Sequence, residues 1–144
     1  MRKEALLQGF KMNKEWKDVK LFHDMFGHPA PIIPTMIGKK RAHSRGVWML
    51  EEVAEFLSAE DIYEQADSMI DLIYFALGTM VEMGIEPEEI FNIVQKANMD
   101  KLWEDGKPMY NKKDCKIIKP DNWEDPKPKI KEHIDKLIEK IKND

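Results

Sequence analysis

The sequence predicts an all-α protein, with a four-helix-bundle-like fold, an irregular loop and an extra C-terminal helix. Apolar residues recur at helical spacing in five separate segments of the 144-residue chain. The seven glycines and eight prolines stand mainly between those segments, where they favour loops. The alternation typical of a strand is confined to residues 115–119, which leaves room for a short strand or hairpin at most.

The first helix is predicted over residues 16–26, where Val19, Phe22 and Phe26 belong to an apolar set at helical spacing. Residues 27–38 follow as an extended connection that contains three prolines. Each proline restricts its own φ and biases the preceding residue away from the helical region. The connection therefore separates the first helix from the second.

Helix two is predicted over residues 42–58, from an apolar stripe, and helix three extends from there to Gly84. The third helix is apolar on nearly every side, as expected of a buried helix. Ser58 followed three residues later by Asp61 resembles a capping box at its start. Because the connection is short, the two helices must run antiparallel.

Helix four is predicted from Pro87, which suits a first helical turn followed by acidic residues, to about Trp103. The helical period is lost between residues 105 and 128, which we interpret as a functional or tethering loop. A narrow apolar stripe then predicts a last, surface or partner-facing helix. We expect one domain over residues 1–125, with a charged amphipathic helix, residues 126–144, packed on it or on a partner subunit.

Composition narrows the class of protein. With 42% hydrophobic and 35% charged residues, the chain resembles neither a membrane protein nor a disordered one. A net charge of −4 gives no overall field for nucleic acid. Its single cysteine, Cys115, cannot form an internal disulfide, which fits a reducing compartment. We expect a cytoplasmic protein that binds neither nucleic acid nor membranes.

Carboxylates interrupt the apolar third helix. Asp71 lies within the apolar run and Asp67 one turn earlier on the same side. Helix two offers a matching set, Glu51, Glu52 and Glu55, which project within one sector. An ionised carboxylate in apolar surroundings needs a partner, and the antiparallel helices can bring both sets face to face. Such a cluster would repel itself without cations, and oxygen-only ligands suit Mg²⁺ or Mn²⁺.

Two other interpretations remain open for these acids. The Glu-Glu-x-x-Glu run is common on solvated helix faces. Asp71 could instead form a structural ion pair with Arg41, Arg45 or Lys101.

The run from Glu51 to Glu55, followed by Asp67-Ser-Met-Ile-Asp71, resembles the paired acidic motifs of the all-α nucleotide pyrophosphohydrolases. This is the superfamily of MazG, dimeric dUTPases and phosphoribosyl-ATP pyrophosphohydrolase. The sequences around residues 22–29, 97–101 and 105–108 resemble a MazG-like group within it. The resemblance implies a MazG-type fold over residues 16–125.

The same resemblance assigns roles to individual residues. Glu52, Glu55 and Asp71 would be Mg²⁺ ligands, with Asp67 replacing the usual motif glutamate, where Ser68 stands. Glu51 would orient or deprotonate the attacking water. The remaining candidates would contact the substrate. The phosphates would be bound by Arg45, Asn98, Lys101 and Lys107. His23 would contact the base, although a histidine buried in the core is the default interpretation for His23.

The implied activity is Mg²⁺-dependent cleavage of a nucleoside triphosphate to the monophosphate and pyrophosphate, as nucleotide-pool house-cleaning, in a homodimer or homotetramer. Mn²⁺ is expected to substitute for Mg²⁺. One alternative changes the substrate to phosphoribosyl-ATP, dUTP or dCTP. Another is a non-catalytic nucleotide-binding module whose site decayed at Ser68. A third is an interaction protein that docks a partner helix through residues 130–141.

Overall fold

The regular elements of the computed structural model, which describes residues 12–144, are all helices. They are α1 (Met12–Phe26), α2 (Lys39–Ser58), α3 (Ile62–Met83), α4 (Glu88–Met99) and α5 (Lys127–Asn143). The predicted all-α class is confirmed. In the described range the β structure is one isolated antiparallel bridge, between Tyr110 and Ile117. It overlaps residues 115–119, where the sequence allows a short strand or hairpin at most.

The helix ends differ from the prediction in two informative places. The N-cap of α3 is Asp61, whose side chain accepts a hydrogen bond of 2.8 Å from the backbone N–H of Glu64. Ser58 instead closes α2, where its hydroxyl donates to the carbonyl of Glu55. Helix α4 ends at Met99, four residues before Trp103, because the chain tightens there into a turn between Lys101 and Asn98.

Residues 12–87 form one compact unit, in which α3 packs against both α1 and α2. Its buried core consists of Trp16 and Val19 from α1 with Leu77 and Val81 from α3. The connection that contains the three prolines lies against the end of α3, where Thr35 donates its backbone N–H to the carbonyl of Met83. Apolar residues of two different helices therefore bury each other along the second half of α3.

Gly84 permits the close approach of that connection. It ends α3 with a φ of 69°, in the left-handed region that favours glycine. A Cβ at this position would lie 2.9 Å from the carbonyl oxygens of both Ile33 and Pro31. A side chain here would strain the backbone and push the connection away.

Residues 88–144 form a second compact unit, in which α5 packs against α4. The predicted boundary near residue 125 falls inside this unit, and the domain assignment itself stays a prediction. Within residues 12–144, no single helix is both long and apolar enough to cross a membrane, although α3 and α4 would meet that criterion as a broken pair.

Candidate active site

The acidic residues of α2 and α3 influence one another electrostatically. Burial, the neighbouring Glu55, and the charges of Asp71 and Asp67 all raise the pKa of Glu52. Burial, Asp67 and Glu55 likewise raise the pKa of Asp71. We call Glu52, Glu55, Asp67 and Asp71 the acid cluster. The predicted juxtaposition of acids across the two antiparallel helices is therefore present.

The donor chemistry of the acid cluster fits a hard divalent cation. The Oε2 atom of Glu52 is buried and has no hydrogen-bond partner among the described residues, which is costly for an ionised oxygen. The cluster offers only oxygen ligands, as Mg²⁺ prefers. In residues 12–144, however, no three acidic, histidine or cysteine side chains are grouped closely enough to hold an ion as they stand. The residue types therefore suit a divalent cation, but their side chains do not converge on a common point.

Ser68 does not take the place of a carboxylate ligand. Its side chain is buried, and its hydroxyl donates a 2.9 Å hydrogen bond to the carbonyl of Glu64 in the same helix. Asp67, one residue earlier, is exposed, and its charge acts on Glu52; its role as the replacement ligand stays a prediction. Glu51 is exposed on α2, and its catalytic role stays a prediction.

Arg45 was expected at the phosphates, but the structure engages it elsewhere. Its side chain is 4% exposed. Its three guanidinium nitrogens donate to Glu82 Oε2 at 2.5 Å, to Thr79 Oγ1 at 2.8 Å and to the carbonyl of Phe75 at 3.0 Å. Each guanidinium nitrogen donates a hydrogen bond to a residue of the same compact unit. Arg45 is therefore part of a structural ion pair, and we do not assign it to phosphate binding.

Glu82 is the buried partner that sequence reasoning missed. It also accepts hydrogen bonds of 2.7 and 3.1 Å from Arg41. Burial by itself raises the pKa of Glu82, but the hydrogen bond from Arg41 and the charge of Arg45 outweigh it and hold the pKa below its usual value. The sequence contains a signal for this pairing: Glu82 is an acid near the end of an apolar helix, and the preceding antiparallel helix carries two arginines four residues apart. The arginines do not pair with Asp71, which is one interpretation that the sequence leaves open; both pair with Glu82. We call Arg41, Arg45 and Glu82 the arginine network.

His23 lies beside this network, in agreement with the core-histidine default. It is 2% exposed, and its Nδ1 is 3.0 Å from the carbonyl of Pro29. Burial lowers its pKa, so the ring is neutral at pH 7. Gly78 makes room for both groups, because a Cβ there would lie 2.5 Å from Arg45 Nη2 and 2.8 Å from His23 Nε2. This position does not offer His23 to a nucleotide base.

The remaining phosphate-binding candidates belong to the second unit. Lys101 donates a 2.9 Å hydrogen bond from its Nζ to Asn98 Oδ1, so these two residues form one group at the end of α4. Lys107 is exposed in the following turn, where its backbone N–H donates to Asp105 Oδ1. The roles of all three residues stay predictions.

An all-helical fold with opposed carboxylates on two antiparallel helices is that of the MazG-like nucleotide pyrophosphohydrolases. Residues 19–98 match the family model described as phosphoribosyl-ATP pyrophosphohydrolase. This match covers more than half of the chain, and the chain belongs to that family. No curated protein matches it.

A crystal structure of a putative NTP pyrophosphohydrolase from Exiguobacterium sp. 255-15 is similar to this chain. The two sequences are 30% identical, the TM-score is 0.52, and the match covers 87% of this chain and 96% of the other. Together, the family and this relative support a nucleotide pyrophosphohydrolase activity in general. The family match includes the acid cluster and Asn98 but ends before Lys101.

Proposed function

We propose that this protein is a Mg²⁺-dependent nucleoside triphosphate pyrophosphohydrolase that cleaves a ribo- or deoxyribonucleoside triphosphate to the monophosphate and pyrophosphate. The acid cluster carries the proposal, because it sets carboxylates of one sign on two helices against one another, and burial together with these neighbouring acids raises the pKa of Glu52 and of Asp71. Such an arrangement is unfavourable unless a cation from outside the chain compensates it. A nucleotide polyphosphate brings such cations into a protein site.

Each group of side chains then has a task. Glu52, Glu55, Asp67 and Asp71 would hold the cation, which when bound neutralises phosphate charge and lowers the pKa of a coordinated water. Glu51 would orient that water or accept its proton. Asn98, Lys101 and Lys107 would bind phosphate oxygens as negative charge is redistributed in the transition state.

We also propose that the active protein is a homodimer or homotetramer. Large apolar side chains next to the acids on both helices are exposed, with Leu50 at 67%, Leu57 at 77% and Ile70 at 62%. Exposed apolar surface of this kind marks interaction sites. A second copy that covers these side chains would also exclude water from around the acid cluster.

Pyrophosphate release from a panel of substrates tests the proposal. The panel contains the common ribo- and deoxyribonucleoside triphosphates, dUTP and phosphoribosyl-ATP, each assayed with Mg²⁺, with Mn²⁺ and with a chelator. We expect metal-dependent release of pyrophosphate together with the monophosphate, and its loss in Glu52→Gln. The description of the matched family favours phosphoribosyl-ATP as the second candidate substrate.

The outcomes separate the alternatives. Release confined to phosphoribosyl-ATP would replace the house-cleaning role by a specific one. Mg²⁺-dependent nucleotide binding without release from any substrate would identify a binding module. Release that continues in the chelator, or at the full rate in Glu52→Gln, would contradict the metal assignment.

A further inference from the structure

Two lysine side chains share one tryptophan ring in the second unit. The Nζ atom of Lys119 lies 4.1 Å from the centroid of the Trp123 ring, and that of Lys101 lies 5.8 Å from it. Both distances are within the range of cation–π attraction. Lys119 comes from the irregular loop and Lys101 from the turn after α4, so the ring brings together two cations that are distant in sequence.

The ring that holds them is itself held in place. The indole N–H of Trp123 donates a 2.7 Å hydrogen bond to the carbonyl of Ala97, near the end of α4. Lys101 also donates a hydrogen bond to Asn98 Oδ1. The position of the Lys101 ammonium is therefore restricted by two contacts, one aromatic and one polar.

The backbone next to Lys119 is held as well. Ile118 donates its N–H to the carbonyl of Met109 at 2.7 Å, and its own carbonyl accepts a 3.1 Å hydrogen bond from the indole N–H of Trp103. The bridge between Tyr110 and Ile117 adds a further tie. Lys119 therefore extends from an ordered turn, which reduces the entropy lost when it binds a ligand.

Neither ammonium has a carboxylate partner in the described part of the chain, since no acidic oxygen there lies within 4.0 Å of Lys101 or Lys119. Two of the acids next to these residues in sequence are paired with other lysines: Asp100 with Lys96 at 2.6 Å, and Glu124 with Lys129 at 4.0 Å. Two ammonium groups on one ring without a carboxylate partner attract an anion, which supplies the missing opposite charge.

We propose that Lys119 and Lys101, held together on Trp123, form a binding site for a phosphate anion, with Lys119 as a substrate-binding residue beyond those that the sequence predicted. A polyphosphate chain suits the site because it carries negative charge along its length and can offer a different phosphate to each ammonium group. That this anion belongs to the substrate rests on the proposed function. The pairing lies outside residues 19–98, the range of the family match.

Inorganic pyrophosphate is the probe, titrated calorimetrically onto the full-length protein with and without Mg²⁺. Lys119→Met removes the ammonium and keeps an unbranched stem against the ring, and Lys119→Gln is a second variant. Lys113→Met is the matched control, an exposed loop lysine that loses the same charge. We expect the affinity for pyrophosphate to fall about tenfold or more in both Lys119 variants, as for the loss of one charge-assisted hydrogen bond. It should stay within about twofold in Lys113→Met, and Lys119→Arg should recover most of it.

The binding measurement separates this inference from the proposed function. If the wild-type protein hydrolyses nucleotides and Lys119→Met binds pyrophosphate like the wild type, the site is overturned and the enzyme assignment stands. If the wild type hydrolyses nothing while its pyrophosphate binding depends on Lys119, the site stands and the enzyme assignment fails. An equal loss in Lys113→Met would show general charge attraction and would overturn the site. In an active enzyme, Lys119→Met should raise KM for the nucleotide more than it lowers kcat.

Discussion

Where helices α2 and α3 pack side by side, charged groups lie at both ends of the pair. The two ends differ in charge balance and in burial. At one end, the arginine network sets two arginines against Glu82, which is 4% exposed. At the other end, the acid cluster places four carboxylates of one sign in half-buried or exposed positions. Charge that is balanced within the chain stabilises the fold, whereas the unbalanced charge of the acid cluster lowers the stability of the fold.

The pKa directions express the same contrast. The pKa of Glu82 is lowered by its arginines, and those of Glu52 and Asp71 are raised by burial and by neighbouring acids. Ionised Glu82 therefore stabilises the folded state, and ionised Glu52 and Asp71 destabilise it. A substitution that removes the charge should have opposite effects on stability at the two ends.

The largest effect is expected from breaking the arginine network. Glu82→Gln leaves the Arg45 guanidinium buried without a counter-ion, and we expect the free energy of unfolding to fall by about 3–5 kcal/mol. Urea denaturation measures this. Asp18→Asn is the control, because it breaks an exposed pair with Lys14 that is worth less than about 1 kcal/mol. Equal losses in the two variants would contradict the structural role of the network.

Neutralising the acid cluster should affect activity and leave the fold intact. We expect Glu52→Gln and Asp71→Asn each to lower kcat at least about 100-fold, or about 2.7 kcal/mol of transition-state stabilisation, because each removes a proposed metal ligand. Thermal unfolding without divalent cations should occur at the same temperature as in the wild type, or higher. Glu15→Gln, on the exposed side of α1, controls for loss of charge alone. Wild-type turnover in either cluster variant would refute the assignment.

Two glycines test how tightly the arginine network is packed. Gly78→Ala places a Cβ against Arg45 and His23, and we expect a destabilisation of about 1–3 kcal/mol, as for overpacked cores. Gly46→Ala, within α2, meets no atom within 4 Å and should stabilise the protein by about 0.5–1 kcal/mol through helix propensity. Chemical denaturation distinguishes the two, and a neutral Gly78→Ala would show that both buried side chains can move aside.

The smallest effect is the pH dependence of the acid cluster. Because the folded state raises the pKa of Asp71, it holds the proton more tightly than the unfolded chain. The stability gained is present at low pH and lost as the pH rises through the folded pKa. Asp71→Asn should therefore be more stable than the wild type at pH 7, by at most about 1 kcal/mol because solvent screens the site, and equally stable near pH 3. Melting temperatures in a chelator test this.

The arginine network has the opposite pH dependence. Its contribution is present above the unfolded pKa of Glu82 and is lost as the pH falls through the lowered folded pKa. The difference in stability between the wild type and Glu82→Gln should accordingly shrink on acidification. If it grew instead, Glu82 would be protonated in the folded protein at neutral pH.

Local sequence patterns are sufficient to predict the helices and the positions of the acids on them. Apolar periodicity, prolines and short connections act over a few residues, so they predict elements without tertiary information. The spacing of Glu52 with Glu55 and of Asp67 with Asp71 places each pair on one side of its helix. The antiparallel connection then brings the two pairs near each other, and the charges of Asp67 and Asp71 accordingly contribute to the raised pKa of Glu52.

Packing between distant segments sets which charged groups are balanced inside the protein. Arg45 was expected at the substrate and is instead paired with Glu82, 37 residues later in the sequence. Lys119 and Lys101 meet on Trp123 through a loop that has no periodicity to predict its path. The partner of a long, flexible side chain depends on packing between distant segments, and local sequence patterns do not contain that information.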